Sequence, residues 1–169
     1  MPLTLLVASD THGRADLLRE AFRRAKADGV LFLGDGLRDL GVLPGDTTLR
    51  AVRGNCDWTT HEDAPPVRVE EIAGYRLYLT HGHLQGVKLS RDTAIENAAA
   101  AGADVLLHGH THIAFEKSYP VGARIANTVL QKPLLVLCPG SLGQSPDGHP
   151  TFATLTLAEG GVLAGFGKL

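Results

Sequence analysis

The feature that most constrains this sequence is a repeated junction, at which a short apolar segment runs directly into a polar turn that contains glycine. The junction occurs five times, at Asp10–Gly13, Gly34–Asp35, Gly54–Asn55, His81–Gly82 and Gly109–His112. A short, continuous apolar run is typical of a strand that is buried on both faces. Glycine lets the chain turn sharply and approach a bound group closely. Because the carboxyl ends of parallel strands meet at one edge of a sheet, we expect the five turns to converge.

The segments between these turns alternate between strand-like and helix-like patterns. Apolar spacing predicts one helix over residues 17–25, with Gly29 as the glycine that ends it, and a second helix from Ser90 to Ala101, closed by Gly102. A hairpin is expected at Ala73-Gly74, between two strand-like segments. Strands are predicted at 3–8, 30–33, 49–53, 67–72, 75–79, 104–107, 113–119, 134–138, 151–158 and 162–166.

Composition limits the classes to which the chain can belong. Its 169 residues are 44% hydrophobic and 20% charged, which fits one globular domain over residues 1–169 and excludes wholesale disorder. No apolar run approaches the length of a membrane span, and the N-terminus lacks the pattern of a secretory signal. Two cysteines cannot form a disulfide framework, so we expect a cytoplasmic protein. The formal net charge of −2 argues against a nucleic-acid partner, and a homo-oligomer is left open.

The turns pool a set of side chains suited to metal binding. Asp10 and His12, like His110 and His112, are two residues apart, so in extended backbone both members of each pair would point to one side. We expect Asp35, between two glycines, to be exposed enough to bridge. Seven nitrogen and oxygen donors exceed the needs of one ion and divide over two divalent cations that share a carboxylate. The seven are Asp10, His12, Asp35, Asn55, His81, His110 and His112.

These blocks resemble the five-part signature of the calcineurin-like metallophosphoesterases. The matching segments are Asp10-x-His12, Gly34-Asp35, Gly54-Asn55-x-Asp57, His81 and Gly109-His110-x-His112. Their order and the absence of a cap domain are similar to the small phosphodiesterase branch of YfcE type, which shares its shape with a vacuolar-sorting retromer subunit. The resemblance implies an α/β fold, a four-layer α-β-β-α sandwich with two mixed β-sheets face to face and helices outside.

The resemblance also implies roles for individual residues. Asp10, His12 and His112 would hold one metal ion, Asn55, His81 and His110 a second, and Asp35 would bridge them. The ions would be Mn²⁺, with Fe, Ni, Co or Zn as alternatives. The implied reaction is phosphodiester hydrolysis by a bridging hydroxide. The superfamily usually has a histidine at the position of Cys56, and that histidine is thought to meet the leaving group, so the protonation step here is in question.

Several residues near the blocks have two interpretations each. Cys56 is an active-site thiol or a small buried filler. Asp57 is a catalytic residue that orients a neighbour, or an aspartate that closes a turn. His83 is a substrate contact or a turn residue with its ring in solvent. Ser141 lends groups to the rim of the site or forms a structural turn, and Gly13 is a candidate substrate contact.

For other residues the sequence favours a structural role. His108 and Cys138 are expected to pack in the interior, and His61 and His149 to lie on the surface. The basic stripe of Arg19, Arg23 and Lys26 is expected to be a solvated helix face.

Three functions compete for this ligand set. The first is a metal-dependent phosphodiesterase acting on a small phosphodiester. The second is a catalytically weak protein-interaction scaffold of the retromer-subunit type, for which the seven ligands would be unnecessary. The third is a related hydrolase, a phosphomonoesterase, a nuclease or a dinucleoside-polyphosphate hydrolase.

Overall fold

Two five-stranded sheets dominate the computed structural model, which describes residues 1–58 and 64–169. The expectation for His61 falls outside these residues. In chain order the elements are β1 (Leu3–Ala8), α1 (Ala15–Ala25), β2 (Gly29–Phe32), a 3-10 helix (Leu37–Val42), β3 (Thr48–Ala51), β4 (Val67–Ile72), β5 (Tyr75–Thr80), α2 (Asp92–Ala100), β6 (Val105–His108), β7 (Ala114–Tyr119), β8 (Arg124–Ile125), β9 (Thr128–Val129), β10 (Leu134–Pro139), β11 (Thr151–Ala158) and β12 (Gly161–Lys168).

Each sheet contains three adjacent parallel strands and two further strands that pair antiparallel. The first sheet has the order β12-β11-β1-β2-β3, in which β1, β2 and β3 are parallel. The second has the order β4-β5-β6-β10-β7, in which β5, β6 and β10 are parallel. Strands β4, β7, β11 and β12 pair antiparallel. The parallel strands that carry the candidate ligands thus deliver their carboxyl ends to one edge in each sheet.

Alternate residues of each central strand pack into different layers. Leu5 and Val7 of β1 belong to the cluster between the two sheets, whereas Leu6 and Ala8 pack with α1 and the 3-10 helix. Leu107 of β6 likewise faces the inter-sheet cluster. This alternation follows from the two-residue period of a strand, and it explains why the central strands are apolar throughout.

Helices cover the outer faces of both sheets. Leu18 and Ala21 of α1 are buried on the first sheet, and Ala94, Ile95 and Ala98 of α2 are buried on the second. The layers are therefore helix, sheet, sheet and helix, which confirms the predicted four-layer α-β-β-α arrangement with two mixed sheets. Within the described residues, none of the helices combines the length and the apolar character needed to cross a bilayer.

The prediction that Gly29 ends the first helix is wrong. Lys26 ends it in the left-handed conformation, with φ of 48°, and Gly29 is the first residue of β2. A Cβ atom at Gly29 would lie 2.9 Å from the carbonyl oxygen of Thr48. Glycine is therefore required by the close approach of β2 and β3, a contact distant in sequence that helix-ending patterns do not show.

The Ala73-Gly74 hairpin generates a prediction about stability. Both residues have positive φ, 50° and 84°, as a two-residue turn of this kind requires. Alanine is strained there, so Ala73→Asn should raise the free energy of unfolding by about 0.5–1 kcal/mol in urea denaturation. The matched change Gly74→Ala should lower it by a similar amount, because an added Cβ meets no atom within 4 Å and only backbone strain remains. Equal stability of all three proteins would contradict the turn assignment.

Candidate metal centre

The seven candidate ligands follow five strands drawn from both sheets. Asp10 and His12 come after β1, Asp35 after β2 and Asn55 after β3 in the first sheet. In the second sheet, His81 follows β5, and His110 and His112 follow β6. Hydrogen bonds and ring contacts link residues of the two sheets directly, so the structure brings all seven around one space at the sheet edges.

Asp10, His12 and His112 form a first group whose ligand atoms lie within 4.8 Å of one another. The Nε2 atom of His112 is 3.0 Å from Asp10 Oδ1, and Nε2 of His12 is 3.6 Å from the same oxygen. Two ligands of one octahedral ion lie about 3 Å apart, because each metal–ligand bond is about 2.1 Å long. The group therefore has the size of a metal site.

Asp35, His81 and His110 form a second group of the same size. His81 Nε2 lies 3.3 Å from Asp35 Oδ2 and 3.1 Å from Asn55 Oδ1. Asp35 Oδ2 is also 3.9 Å from Nε2 of His12, which belongs to the first group. Asp35 therefore lies between the two groups, where a bridging carboxylate would be needed.

The backbone of these turns differs from the extended conformation predicted for them. Asp10 and His12 have φ of 55° and 44°, and His110 and His112 have φ of 69° and 62°. Each pair converges because both residues adopt the left-handed conformation, which aspartate and histidine tolerate better than most residues. Asp35 also has positive φ, 57°, and the expectation that it is exposed is wrong, since only 2% of it is accessible. Such strain persists only where surrounding bonds enforce it.

Carbonyl oxygens fix the orientation of two imidazole rings. His81 Nδ1 donates to the Leu33 carbonyl oxygen at 2.7 Å, and His112 Nδ1 donates to that of Gln144 at 3.0 Å. When Nδ1 carries the hydrogen in this way, the neutral ring presents the lone pair of Nε2. Both Nε2 atoms face carboxylate or amide oxygens, which are themselves acceptors.

An excess of acceptors therefore meets in this space. Among the described residues, His12 Nε2 is a buried nitrogen without a hydrogen-bond partner. Lone pairs that face one another repel unless a proton or a metal cation lies between them. The donor set of imidazoles, carboxylates and an amide suits first-row divalent ions. The residues present thus fit the metal ions that the sequence predicts, and their role as ligands remains a prediction.

Asp57 holds two of the turns together through its carboxylate, the one after β2 and the one after β3. Oδ2 accepts the backbone N–H groups of Asp35 at 2.7 Å and Gly54 at 2.8 Å. Oδ1 accepts those of Gly36 at 3.0 Å and Leu37 at 3.1 Å. None of these four donors is an imidazole, so the geometry gives Asp57 the turn-closing role, and a catalytic role stays a prediction only.

Two further residues that the sequence analysis missed support the β1 turn. The Ser9 hydroxyl donates to Asp10 Oδ2 at 2.5 Å. Asp39, on the 3-10 helix, accepts from the Thr11 hydroxyl at 2.5 Å and from the Gly13 N–H at 3.0 Å. The position of Ser9 beside a candidate ligand could have suggested its role. No local pattern links Asp39 to Thr11, which lies 28 residues earlier.

Cys56 lies at the mouth of the site and is exposed, so the buried-filler alternative is wrong. Its backbone N–H donates to Asp35 Oδ1 at 2.7 Å, and its Sγ lies within 4.8 Å of ligand atoms of His12 and Asp35. Partial burial and the nearby Asp35 carboxylate raise the pKa of the Cys56 thiol. Cys138 is buried in the interior, as expected.

The three candidate substrate contacts differ in their surroundings. His83 is half-buried, its ring centroid lies 5.3 Å from that of His81, and its Nδ1 has no partner among the described residues. The hydroxyl of Ser141 is fully buried and donates to the Asp10 carbonyl oxygen at 2.8 Å, which favours the structural turn. Gly13 lines a cleft of about 360 Å³ together with His12, Asp35 and Cys56.

The residues expected to be structural are placed as predicted. His108 is buried, donates from Nδ1 to the Gly109 carbonyl oxygen and accepts from Arg91. His149 is exposed. Arg19, Arg23 and Lys26 lie on an exposed face of α1, with Lys26 at its end.

Charge near the centre changes the titration of several groups. Burial opposes ionisation of Asp10, but the hydrogen bond with His112 and the nearby rings of His12 and His81 lower the pKa of this carboxyl well below its usual range. The neighbouring Asp10 carboxylate, 3.6 Å away, raises the pKa of His12 above its ordinary value. Burial lowers the pKa of His81, yet the carboxylates of Asp35 and Asp10 outweigh it and raise that pKa overall. Burial lowers the pKa of His110 to about 4.

Comparison with known proteins agrees with this geometry. Residues 3–160 match the calcineurin-like phosphoesterase superfamily domain. The chain is 31% identical over 113 residues to a probable metallophosphoesterase, YsnB, of Bacillus subtilis, a match that spans 66% of each sequence, just under two thirds. It is 32% identical over 137 residues to the phosphodiesterase YfcE of Escherichia coli K12, covering 66% of this chain and 70% of YfcE.

Solved structures share the whole architecture. A predicted phosphoesterase from Streptococcus pneumoniae aligns with a TM-score of 0.73 at 24% identity, over 99% of this chain and 90% of that one. Vacuolar protein sorting 29 from Cryptosporidium parvum aligns with a TM-score of 0.70 at 20% identity, over 99% and 98% of the two chains. At these identities the likeness concerns the fold alone.

The hydrogen bonds of Asp57 predict the effect of Asp57→Asn. The amide would place N–H groups against backbone N–H donors that the carboxylate now satisfies. We expect the free energy of unfolding to fall by about 2–4 kcal/mol in urea denaturation of the metal-free protein. If Asp57 acted on the substrate alone, turnover would be lost while stability stayed unchanged.

The raised pKa values of His12 and His81 predict how metal affinity depends on pH. Both rings hold protons more tightly than a free histidine, so near neutral pH a cation must displace those protons. Affinity for Mn²⁺ should therefore fall as pH is lowered from about 8 to about 6, by up to about tenfold per unit for each proton displaced. His110 contributes little in this range, since its pKa is about 4. Calorimetric titration at both pH values measures the effect, and an unchanged affinity would contradict it.

Proposed function

The chain belongs to the calcineurin-like phosphoesterase superfamily, and from this premise we propose that it is a metal-dependent phosphodiesterase acting on small phosphodiesters. The proposal is based on one observation: nitrogen and oxygen atoms that accept hydrogen bonds or bind metals converge at the edges of the two sheets. Four imidazoles, two carboxylates and an amide meet in two adjacent groups, and Asp35 of the second group lies 3.9 Å from His12 of the first. Such a set favours cations and would supply the ligands for two of them, as two-metal phosphoesterases require.

The assignment of ligands follows the two groups. One ion would be held by Asp10, His12 and His112, and the other by Asn55, His81 and His110, with Asp35 shared. Mn²⁺ is our first choice of metal, because the donors mix oxygen and nitrogen, with Fe, Ni, Co or Zn as alternatives. When bound, such ions supply positive charge to the phosphoryl oxygens and make hydroxide available at neutral pH.

The chain's own residues orient the candidate ligands and leave room for the substrate to enter. Carbonyl contacts from Leu33 and Gln144 hold the rings of His81 and His112 in one orientation, so the donors need not reorganise during the reaction. The cleft of about 360 Å³ beside His12 and Asp35 admits a small phosphoester. Cys56 lies in this cleft, where it would face a departing group.

Preference for esters with good leaving groups follows from the character of Cys56. A thiol is a weak donor and a poor acid towards an alkoxide, and the pKa of Cys56 is raised further by its surroundings. The chain therefore gives little help to a poor leaving group at this position. Aryl diesters such as bis(p-nitrophenyl) phosphate should react well, and monoesters, which carry an extra negative charge, should react more slowly.

The non-enzymatic alternative finds no specific support. Likeness to vacuolar protein sorting 29 is likeness of fold at 20% identity, and the present chain keeps every candidate ligand in place. Both cysteines are unpaired, which fits the cytoplasmic location that we propose for the enzyme.

Asp35→Asn tests the bridging assignment. The variant keeps one oxygen but removes the negative charge between two proposed cations. We expect metal affinity at one site or both to fall by about tenfold to hundredfold, with at least as large a loss of turnover on bis(p-nitrophenyl) phosphate. Asp46→Asn, at an exposed acid outside the site, is the matched control and should change neither. Two tightly bound ions and normal turnover in Asp35→Asn would show that Asp35 is not the bridge.

The weakness of the Cys56 thiol as an acid predicts a strong dependence of the hydrolysis rate on the leaving group. Without an effective acid, turnover should fall steeply as the pKa of the leaving alcohol rises across a series of aryl and alkyl diesters. Cys56→Ser should keep both ions, because Cys56 is outside the proposed ligand set. Cys56→His should flatten the dependence, since a general acid contributes about 10²–10⁴-fold to such reactions. A flat dependence in the wild type would mean that another group supplies the proton.

A further inference from the structure

The chain's single tryptophan directly follows a residue that lines the cleft at the proposed metal centre. Trp58 follows Asp57 directly and lies three residues after Asn55. The four backbone hydrogen bonds of the Asp57 carboxylate fix the chain at that point. The indole itself is 86% exposed. The backbone before Trp58 is therefore held in place next to the cleft, and the described residues leave most of the indole uncovered.

Two other loops place an exposed apolar side chain beside a candidate ligand. Leu84 lies three residues after His81 and is 66% exposed, and Ile113 follows His112 and is 60% exposed. Single exposed apolar side chains are common on protein surfaces. Here each lies within three residues of a candidate ligand, so the three belong to loops that surround one polar centre. We call Trp58, Leu84 and Ile113 the apolar rim.

The geometry of a diester determines what meets this rim. With the phosphate at the metal centre, its two ester substituents must extend outward between the loops. They therefore pass the apolar rim, whatever their chemistry. The flat π-surface of an indole stacks on the face of a nucleobase. Its interaction with a small alkyl group is much weaker.

Resting on the proposed phosphodiesterase function, we propose that the substrates are phosphodiesters with a nucleoside arm, whose base stacks on Trp58. Trp58 is a specificity residue in this proposal, because it contacts the arm that does not leave. Stacking of one base on an aromatic side chain corresponds to a gain in affinity of about five- to hundredfold. That gain should appear as selectivity between substrates that react at the same bond.

Two chromogenic diesters isolate this contribution. Thymidine 5′-(p-nitrophenyl phosphate) and methyl p-nitrophenyl phosphate carry the same single charge and release the same p-nitrophenolate, so they differ only in the remaining arm. With the Mn²⁺-loaded enzyme, we expect kcat/KM to favour the thymidine ester by about five- to hundredfold. Trp58→Ala should lower kcat/KM for the thymidine ester far more than for methyl p-nitrophenyl phosphate and so remove most of this preference, whereas Trp58→Phe should retain much of it. Phe166→Ala, at an exposed aromatic on β12, is the matched control and should change nothing.

Fluorescence gives a readout that does not depend on turnover. Because Trp58 is the only tryptophan, its emission reports this position alone. Adenosine 5′-monophosphate should quench the emission of the Mn²⁺-loaded protein in a saturable way. Methyl phosphate, which has the phosphate without the base, should not.

The outcomes separate this proposal from the function on which it rests. Hydrolysis of neither diester would count against the phosphodiesterase itself. Equal hydrolysis of both, or a preference that survives Trp58→Ala, would overturn the nucleoside proposal while leaving the phosphodiesterase intact. Emission typical of a buried indole in a dimeric enzyme would also overturn it, because a second copy of the chain would then cover Trp58.

Discussion

The arrangement of this protein depends on electrostatic repulsion among closely placed acceptors, which is relieved only when a proton or a metal cation lies between them. Lone pairs of imidazole Nε2 atoms and carboxylate oxygens face one another across distances of 3.0–3.9 Å. In water such groups would separate, and in the folded chain they are held together. Hydrogen bonds to atoms that face away from the proposed metal sites hold these groups in place. Backbone carbonyl oxygens orient His81 and His112, and the Ser9 hydroxyl donates to Asp10. Binding free energy of a metal ion is therefore available to stabilise the folded state.

The sandwich supplies the stiffness that these contacts need. Parallel strands in both sheets deliver their carboxyl ends to the same space, so loops from distant parts of the sequence meet there. The loops are then tied to one another by buried acids. Asp57 joins the turns that follow β2 and β3, and Asp39 joins the 3-10 helix to the turn that follows β1. Left-handed backbone at Asp10, His12, Asp35, His110 and His112 is tolerated because these ties enforce it.

Sequence patterns predicted the layers and the gathering of the seven side chains, because both follow from local signals. Continuous apolar runs mark central strands, and glycine beside a polar residue marks a strand end. What the sequence could not supply was contact between distant residues. Gly29 is required by Thr48, Asp39 binds Thr11, and the burial of Asp35 depends on loops from three strands. The expected extended backbone at Asp10 and His12 was wrong for the same reason, since their left-handed conformation is imposed by surrounding loops.

Anomalous diffraction from crystals grown with Mn²⁺ tests the central claim most directly. We expect two strong peaks in each chain. One would lie among Asp10, His12 and His112, the other among Asp35, His81 and His110, and the Asp35 carboxylate would be in reach of both. A single peak, or peaks away from these side chains, would contradict the view that this cluster is built to hold two cations.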